Sequence, residues 1–176
     1  MTIKNGLYIL CAAAALQGGV ANAAGIGDLD GYIGGGIGSA SIDDSRPSAS
    51  ASDASSLLIM RVGVYLSDYL SVEMRSGVNA GSGSKVEARN VVGFYLKPEV
   101  AVSDSLAFNA ALGWGGVVYR RASGSRSRGG SASYGIGARY MVSDNLALTF
   151  DATRANKEKT IHADTYVVGL SYDFTL

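Results

Sequence analysis

The sequence predicts an all-β fold, an eight-stranded antiparallel up-and-down transmembrane β-barrel. Two observations carry that prediction. One is a repeated turn: Leu66-Ser67-Asp68-Tyr69-Leu70, Val102-Ser103-Asp104-Ser105-Leu106 and Val142-Ser143-Asp144-Asn145-Leu146 each hold a polar segment between apolar residues. Ser67 and Ser103 stand 36 residues apart, Ser103 and Ser143 40, which leaves room for two strands of about ten residues and one longer connection. The other is a period-two alternation of apolar with small or polar residues on both sides of these turns, the pattern of a strand with two unlike faces. Short turns at one end and long connections at the other describe an up-and-down barrel of the outer-membrane type.

Residues 1–23 stand apart from that fold. Lys4 gives a positive start, Gly6 to Leu16 is apolar around Cys11-Ala12-Ala13-Ala14-Ala15, and Ala21-Asn22-Ala23 offers a small-x-small cleavage site. This is the pattern of a secretory signal peptide cut after Ala23. About ten apolar residues are too few for a membrane-spanning helix. Cys11 does not suit a lipoprotein site, because Leu10 before it is not small and the apolar run continues past it. Residues 24–176 then make one domain. They carry 14 Lys and Arg against 15 Asp and Glu, and no cysteine. A disulfide is thereby excluded, and nothing in the net charge draws the chain to nucleic acid. No later stretch has the apolar length of a membrane helix, so crossing a bilayer requires strands.

The first strand, about 31–40, contains Gly34-Gly35-Gly36. That run lacks the lysine and helix of a phosphate loop and instead permits close strand packing. The second and third strands, about 56–66 and 70–78, flank the first turn; Leu70, Val72 and Met74 alternate there with Ser71, Glu73 and Arg75. The fourth and fifth, about 88–102 and 105–119, flank the second turn. Phe108, Ala110, Leu112 and Trp114 alternate with Asn109, Ala111 and Gly113. The sixth and seventh are about 131–142 and 145–155, with Leu146, Leu148 and Phe150 alternating with Ala147, Thr149 and Asp151. In the eighth, about 163–175, Tyr166, Val168, Leu170, Tyr172 and Phe174 alternate with Val167, Gly169, Ser171 and Asp173. This leaves loops at about 41–55, 79–87, 120–130 and 156–162, rich in Ser, Gly and charge.

A soluble barrel or sandwich would bury the apolar face. Here the polar face is mostly Gly, Ala, Ser and Thr with isolated charges, which suits a narrow lumen. The apolar face carries Tyr69, Tyr134, Tyr140, Tyr166 and Tyr172 near strand ends, as interfacial girdles do. The inverted arrangement is therefore expected. Pairing outward from the first turn sets Glu73 opposite Gly63 and Arg61 opposite Arg75. From the third turn, Asp151 falls opposite Gly137 and Thr149 opposite Arg139. Lys97 and Glu99 join the inward face beside Tyr95. The lumen then holds Arg61, Arg75, Lys97 and Arg139 with Glu73, Glu99 and Asp151 at about mid-height. Eight strands leave a lumen that side chains fill, and charges inside it must pair. A structural ionic plug is the first reading and an ion gate or narrow pore the second.

Little else suggests chemistry. His162, the chain's one histidine, sits in Ile161-His162-Ala163-Asp164-Thr165, with no serine placed to be activated by it. No Cys/His ligand set supports a metal site, and no cofactor is implied. Arg120, Arg121, Arg126 and Arg128 crowd the loop between the fifth and sixth strands. Outside the cell they would face the phosphates of lipopolysaccharide or an acidic host or surface polysaccharide, to which guanidinium forks are suited.

The turn segment Tyr140-Met141-Val142-Ser143-Asp144-Asn145-Leu146-Ala147-Leu148 and the end Val168-Gly169-Leu170-Ser171-Tyr172-Asp173-Phe174 resemble the small outer-membrane β-barrel superfamily. That superfamily includes the OmpA transmembrane domain, OmpX and Ail, and the opacity-type surface antigens. The resemblance implies a monomer in the outer membrane of a Gram-negative bacterium. It also implies a C-terminal signal for the barrel-assembly machinery, here Tyr172, Phe174 and Leu176, with Leu176 in place of the usual phenylalanine. It specifies architecture and no functional residue. The leading functional expectation is a non-enzymatic surface protein that stabilises the envelope and displays loops for adhesion or recognition. A small porin-like channel and a lipid A-modifying enzyme are the alternatives.

Overall fold

The computed structural model describes residues 30–44, 53–80, 86–121, 126–158 and 161–175. Eight strands follow in order: β1 (Asp30–Asp44), β2 (Asp53–Ser67), β3 (Leu70–Asn79), β4 (Val86–Ala101), β5 (Leu106–Arg121), β6 (Arg126–Met141), β7 (Leu146–Glu158) and β8 (Ile161–Thr175). Each pairs antiparallel with the next, and β8 returns to β1 from Asp30↔Thr175 to Asp44↔Ile161, closing the barrel. Closure removes the unpaired strand edges that hydrocarbon cannot hydrate. The expected class is the observed one. The proposed signal segment 1–23 and the terminal Leu176 lie outside the described residues.

Two of the three turns share one geometry. The N–H groups of Val102 and Ser103 donate to the Leu106 carbonyl at 2.8 and 3.1 Å, and those of Val142 and Ser143 to the Leu146 carbonyl at 2.8 and 3.2 Å. Ser103 Oγ also accepts from the Leu106 N–H at 3.1 Å, a local bond that favours serine at a turn. The first turn differs. Ser67, not Leu66, pairs with Leu70, and the register shifts between Tyr65 and Ser67. A two-residue connection, Asp68-Tyr69, leaves one residue too many on β2, and the excess is taken up as a bulge.

The strands run further than the alternation indicated. Only 45–52, 80–85, 122–125 and 159–160 separate them, against the longer loops expected at 41–55, 79–87, 120–130 and 156–162. Above the lipid both faces of a hairpin meet water, so the hydrophobic period vanishes while the pairing continues. Arg120, Arg121, Arg126 and Arg128 therefore belong to the ends of β5 and β6, with Arg120 opposite Arg126 and Val118 opposite Arg128. They are not loop residues.

The faces are inverted relative to a soluble barrel. Phe108, Leu112, Leu148, Phe150 and Leu170 are exposed on the outside, whereas Glu73 and Asp151 are 0% and 2% exposed. Tyr69, Tyr140 and Tyr172 are exposed near the turns, and Trp114, Tyr134 and Tyr166 further toward the other end, as two aromatic belts would be. Inside the half away from the turns, Ala40, Leu57, Ile59 and Val167 form an apolar layer with Val91 against it. Val167 falls on the inward face by alternation, whereas Leu57 and Ile59 were not expected there.

Candidate functional site

The lumen is where this chain concentrates its charge. Register places the carboxylates: Gly63↔Glu73 and Arg61↔Arg75 between β2 and β3, and Gly137↔Asp151 and Arg139↔Thr149 between β6 and β7. Both glycines are needed as glycines. A Cβ at Gly137 would lie 2.8 Å from Asp151 Oδ1 and from Asn109 Oδ1, and one at Gly63 would fall within the Tyr32 ring.

Five side chains meet directly. Arg61 Nη1 donates to Asp151 Oδ2 at 2.5 Å, and Arg75 Nη2 to Asp151 Oδ1 at 2.8 Å. Arg75 Nε pairs with Glu73 Oε1. Lys97 Nζ donates to Glu73 Oε2 at 3.1 Å and stands 3.6 Å from Asp151 Oδ1. The Tyr32 hydroxyl completes Glu73, donating to Oε2 at 2.7 Å. Arg75 also lies 4.8 Å from the centre of the Tyr95 ring, within cation–π range. Each carboxylate thus serves several strands, and the Arg75 guanidinium is spread between two carboxylates and a ring.

Arg139 and Glu99 do not join this group. They form a second one nearer the turns, where Arg139 Nη2 pairs with Asp173 Oδ2. Arg139 Nη1 donates to the Tyr65 hydroxyl at 2.5 Å and stands 3.8 Å from Glu99 Oε1. The Tyr32 and Tyr65 rings, tilted at 51° and 5.3 Å apart, link the two groups. The single mid-height cluster of the sequence reading is therefore two tiers, because Glu99 and Arg139 lie close to the turns that end their strands.

Asp173, Tyr32 and Tyr65 were missed as site residues. Asp173 was legible, since it falls on the polar face of the last strand. With it, the two tiers hold four cations and four anions, where the sequence reading counted three acids. Tyr32 was hidden by the glycines of β1, which blur the alternation.

Little room remains between these side chains. A cavity of about 10 Å³ lies beside Arg61, Asn109, Thr149 and Asp151, and one of about 20 Å³ beside Ile59, Val91, Tyr95 and Val167. Either holds about one water. Arg61 Nε and Nη2, Asn109 Oδ1 and Thr149 Oγ1 have no protein partner among the described residues, a set of donors and acceptors suited to a bridging water. The backbone of His162 lies opposite Asp43 and Asn156; its side chain, like those of the four strand-end arginines, is outside the described residues.

An apolar shell around a paired ionic lumen, closed by eight strands, defines an integral outer-membrane β-barrel. The chain belongs to the outer membrane protein beta-barrel domain family, whose model matches residues 9–174, and its location is the outer membrane of a Gram-negative bacterium. Among solved structures it is similar to Neisserial surface protein A, with 16% identity over 85% of this chain and 100% of that one and a TM-score of 0.61. It is similar also to Ail, the attachment invasion locus protein of Yersinia pestis, solved in complex with the heparin analogue sucrose octasulfate (11% identity, 83% and 99% covered, TM-score 0.59). A third is OprG of Pseudomonas aeruginosa (12%, 83% and 96%, TM-score 0.55). At these identities the likeness is one of fold. No curated protein matches the chain in sequence.

Proposed function

We propose that this chain is a non-enzymatic, sealed outer-membrane barrel that stabilises the envelope and presents its strand ends and loops for surface recognition. One observation carries the reading: among the described residues the lumen is filled. Two ionic tiers and an apolar layer leave voids the size of single waters, so the interior supports a scaffold better than a passage. A buried ionic interior costs desolvation and is a weak source of stability, which suits a packing role held by register rather than a conducting one.

The recognition element is the β5–β6 hairpin. Arg120, Arg121, Arg126 and Arg128 crowd within nine residues at its outer end, and guanidinium groups pair well with sulfate, phosphate and carboxylate. Ail, which shares the fold, binds a sulfated sugar analogue, in keeping with an acidic polysaccharide as partner here. Two measurements test the proposal. Purified barrel in planar bilayers is expected to give no stable open steps, and a steady unitary conductance would favour the channel reading. Binding to immobilised heparin should fall when the four arginines are replaced by glutamine; unchanged binding would remove the hairpin from the account.

A further inference from the structure

The outer wall carries a feature that the lumen does not explain. On β6, β7 and β8, six outward residues form two rows. Ile136, Ala152 and Tyr166 are cross-strand neighbours in one, and Tyr134, Arg154 and Asp164 in the other. Ala152 is the small residue among large ones, and its shortness opens a groove of about 310 Å³ between Tyr134 and Ile136 on one side and Tyr166 on the other. That volume is in the range of small-molecule sites. The second row closes the groove at its outer end. Arg154 Nε and Nη2 reach Asp164 Oδ1 and Oδ2, both at 2.6 Å. This fork uses two of the five guanidinium N–H donors, and the Arg154 side chain remains about half exposed.

We propose that this groove holds one lipid A molecule of the outer leaflet, with an acyl chain over Ala152 and a phosphate against Arg154. The wall lies on the lipid side of an outer-membrane barrel, so lipid must cover it. The groove is lined by two belt tyrosines, Tyr134 and Tyr166, where chain meets headgroup, and the charged row lies one residue pair further toward the loops. Asp164 fixes the plane of the guanidinium, Tyr134 lies beside it, and the half of the side chain that stays exposed meets the oxyanion. A phospholipid could fill the apolar half, but the outward position favours the phosphorylated lipid of the outer leaflet.

The test uses barrel purified from outer membranes, stripped of lipid in detergent, and native mass spectrometry with lipid A, dephosphorylated lipid A and phosphatidylethanolamine. The wild type is expected to retain one lipid A and to prefer it to both others. Arg154→Gln should reduce the preference for phosphorylated over dephosphorylated lipid A by roughly fivefold, the effect of one interfacial cation. Ala152→Phe, which fills the groove, should lower retention of both forms. Ser76→Phe, on the opposite wall in β3, should change neither. Equal retention of phosphatidylethanolamine, an unaltered preference in Arg154→Gln, or undiminished retention by folded Ala152→Phe would each overturn the proposal. Folding is read from the heat-dependent shift on gels. Should Ala152→Phe not fold, the Arg154→Gln result decides.

Discussion

Asp151→Asn probes the upper ionic tier most sharply. Asp151 accepts from Arg61 at 2.5 Å and from Arg75 at 2.8 Å, with Lys97 at 3.6 Å. Arg75 and Lys97 keep Glu73 as a second anion, but Arg61 makes no second ion pair among the described residues, and its Nε and Nη2 have no bond there. The substitution leaves a guanidinium that is 1% exposed without its directly paired carboxylate. Orphaning one member of a buried pair costs about 3–5 kcal/mol, a factor of roughly 150 to 5,000 in the unfolding equilibrium. Removing both partners in Arg61→Met/Asp151→Leu deletes one charge of each sign and should recover most of that loss. The assay is urea unfolding of the barrel in lipid vesicles, followed by Trp114 fluorescence and by the heat-dependent gel shift. A cost below about 1 kcal/mol for the single variant, the range of an exposed pair, would refute the reasoning. A double variant no more stable than the single one would do the same.

Three further outcomes are expected. Gly63→Ala drives a methyl into the Tyr32 ring and displaces its hydroxyl from Glu73, costing about 1–3 kcal/mol in the same urea titration. Leu148→Arg places a cation on the lipid face and should cost about 2–4 kcal/mol in bilayers, while refolding in detergent should be affected far less. Ser103→Ala removes one acceptor from a turn that keeps its backbone bonds, a loss of about 0.5–1.5 kcal/mol visible as a lower urea midpoint with unchanged slope.

The architecture was legible because lipid imposes a strict period on each strand. Phe108, Leu112 and Trp114 alternate with Asn109 and Gly113 over a length that only a strand can bridge, and the turn residues set the register that places Glu73 beside Gly63. Legibility ended where the lipid ends. Arg120 to Arg128 looked like a loop because the alternation that marks a strand stops there, although the pairing continues. The lumen was partly readable. Charges on the inward face follow from parity, but how they combine depends on the curvature and stagger of the closed barrel. Arg61 of β2 thus meets Asp151 of β7, a pairing across the lumen that no hairpin-by-hairpin reading reaches. Leu57 and Ile59 of the apolar layer were missed for a related reason, since inward and outward apolar residues cannot be told apart within one short apolar run.

The division of the ionic tiers along the chain bears on how the barrel is built. The first four strands contribute Arg61, Arg75 and Lys97 with Glu73 and Glu99; the last four contribute Arg139 with Asp151 and Asp173. An N-terminal half-sheet would enter hydrocarbon with an unmatched cation, and its C-terminal counterpart with an unmatched anion, so neither makes a tolerable stopping point in the bilayer. Insertion and curling must finish together. Two separately synthesised halves should accordingly seek one another out, each completing the ledger that the other leaves open.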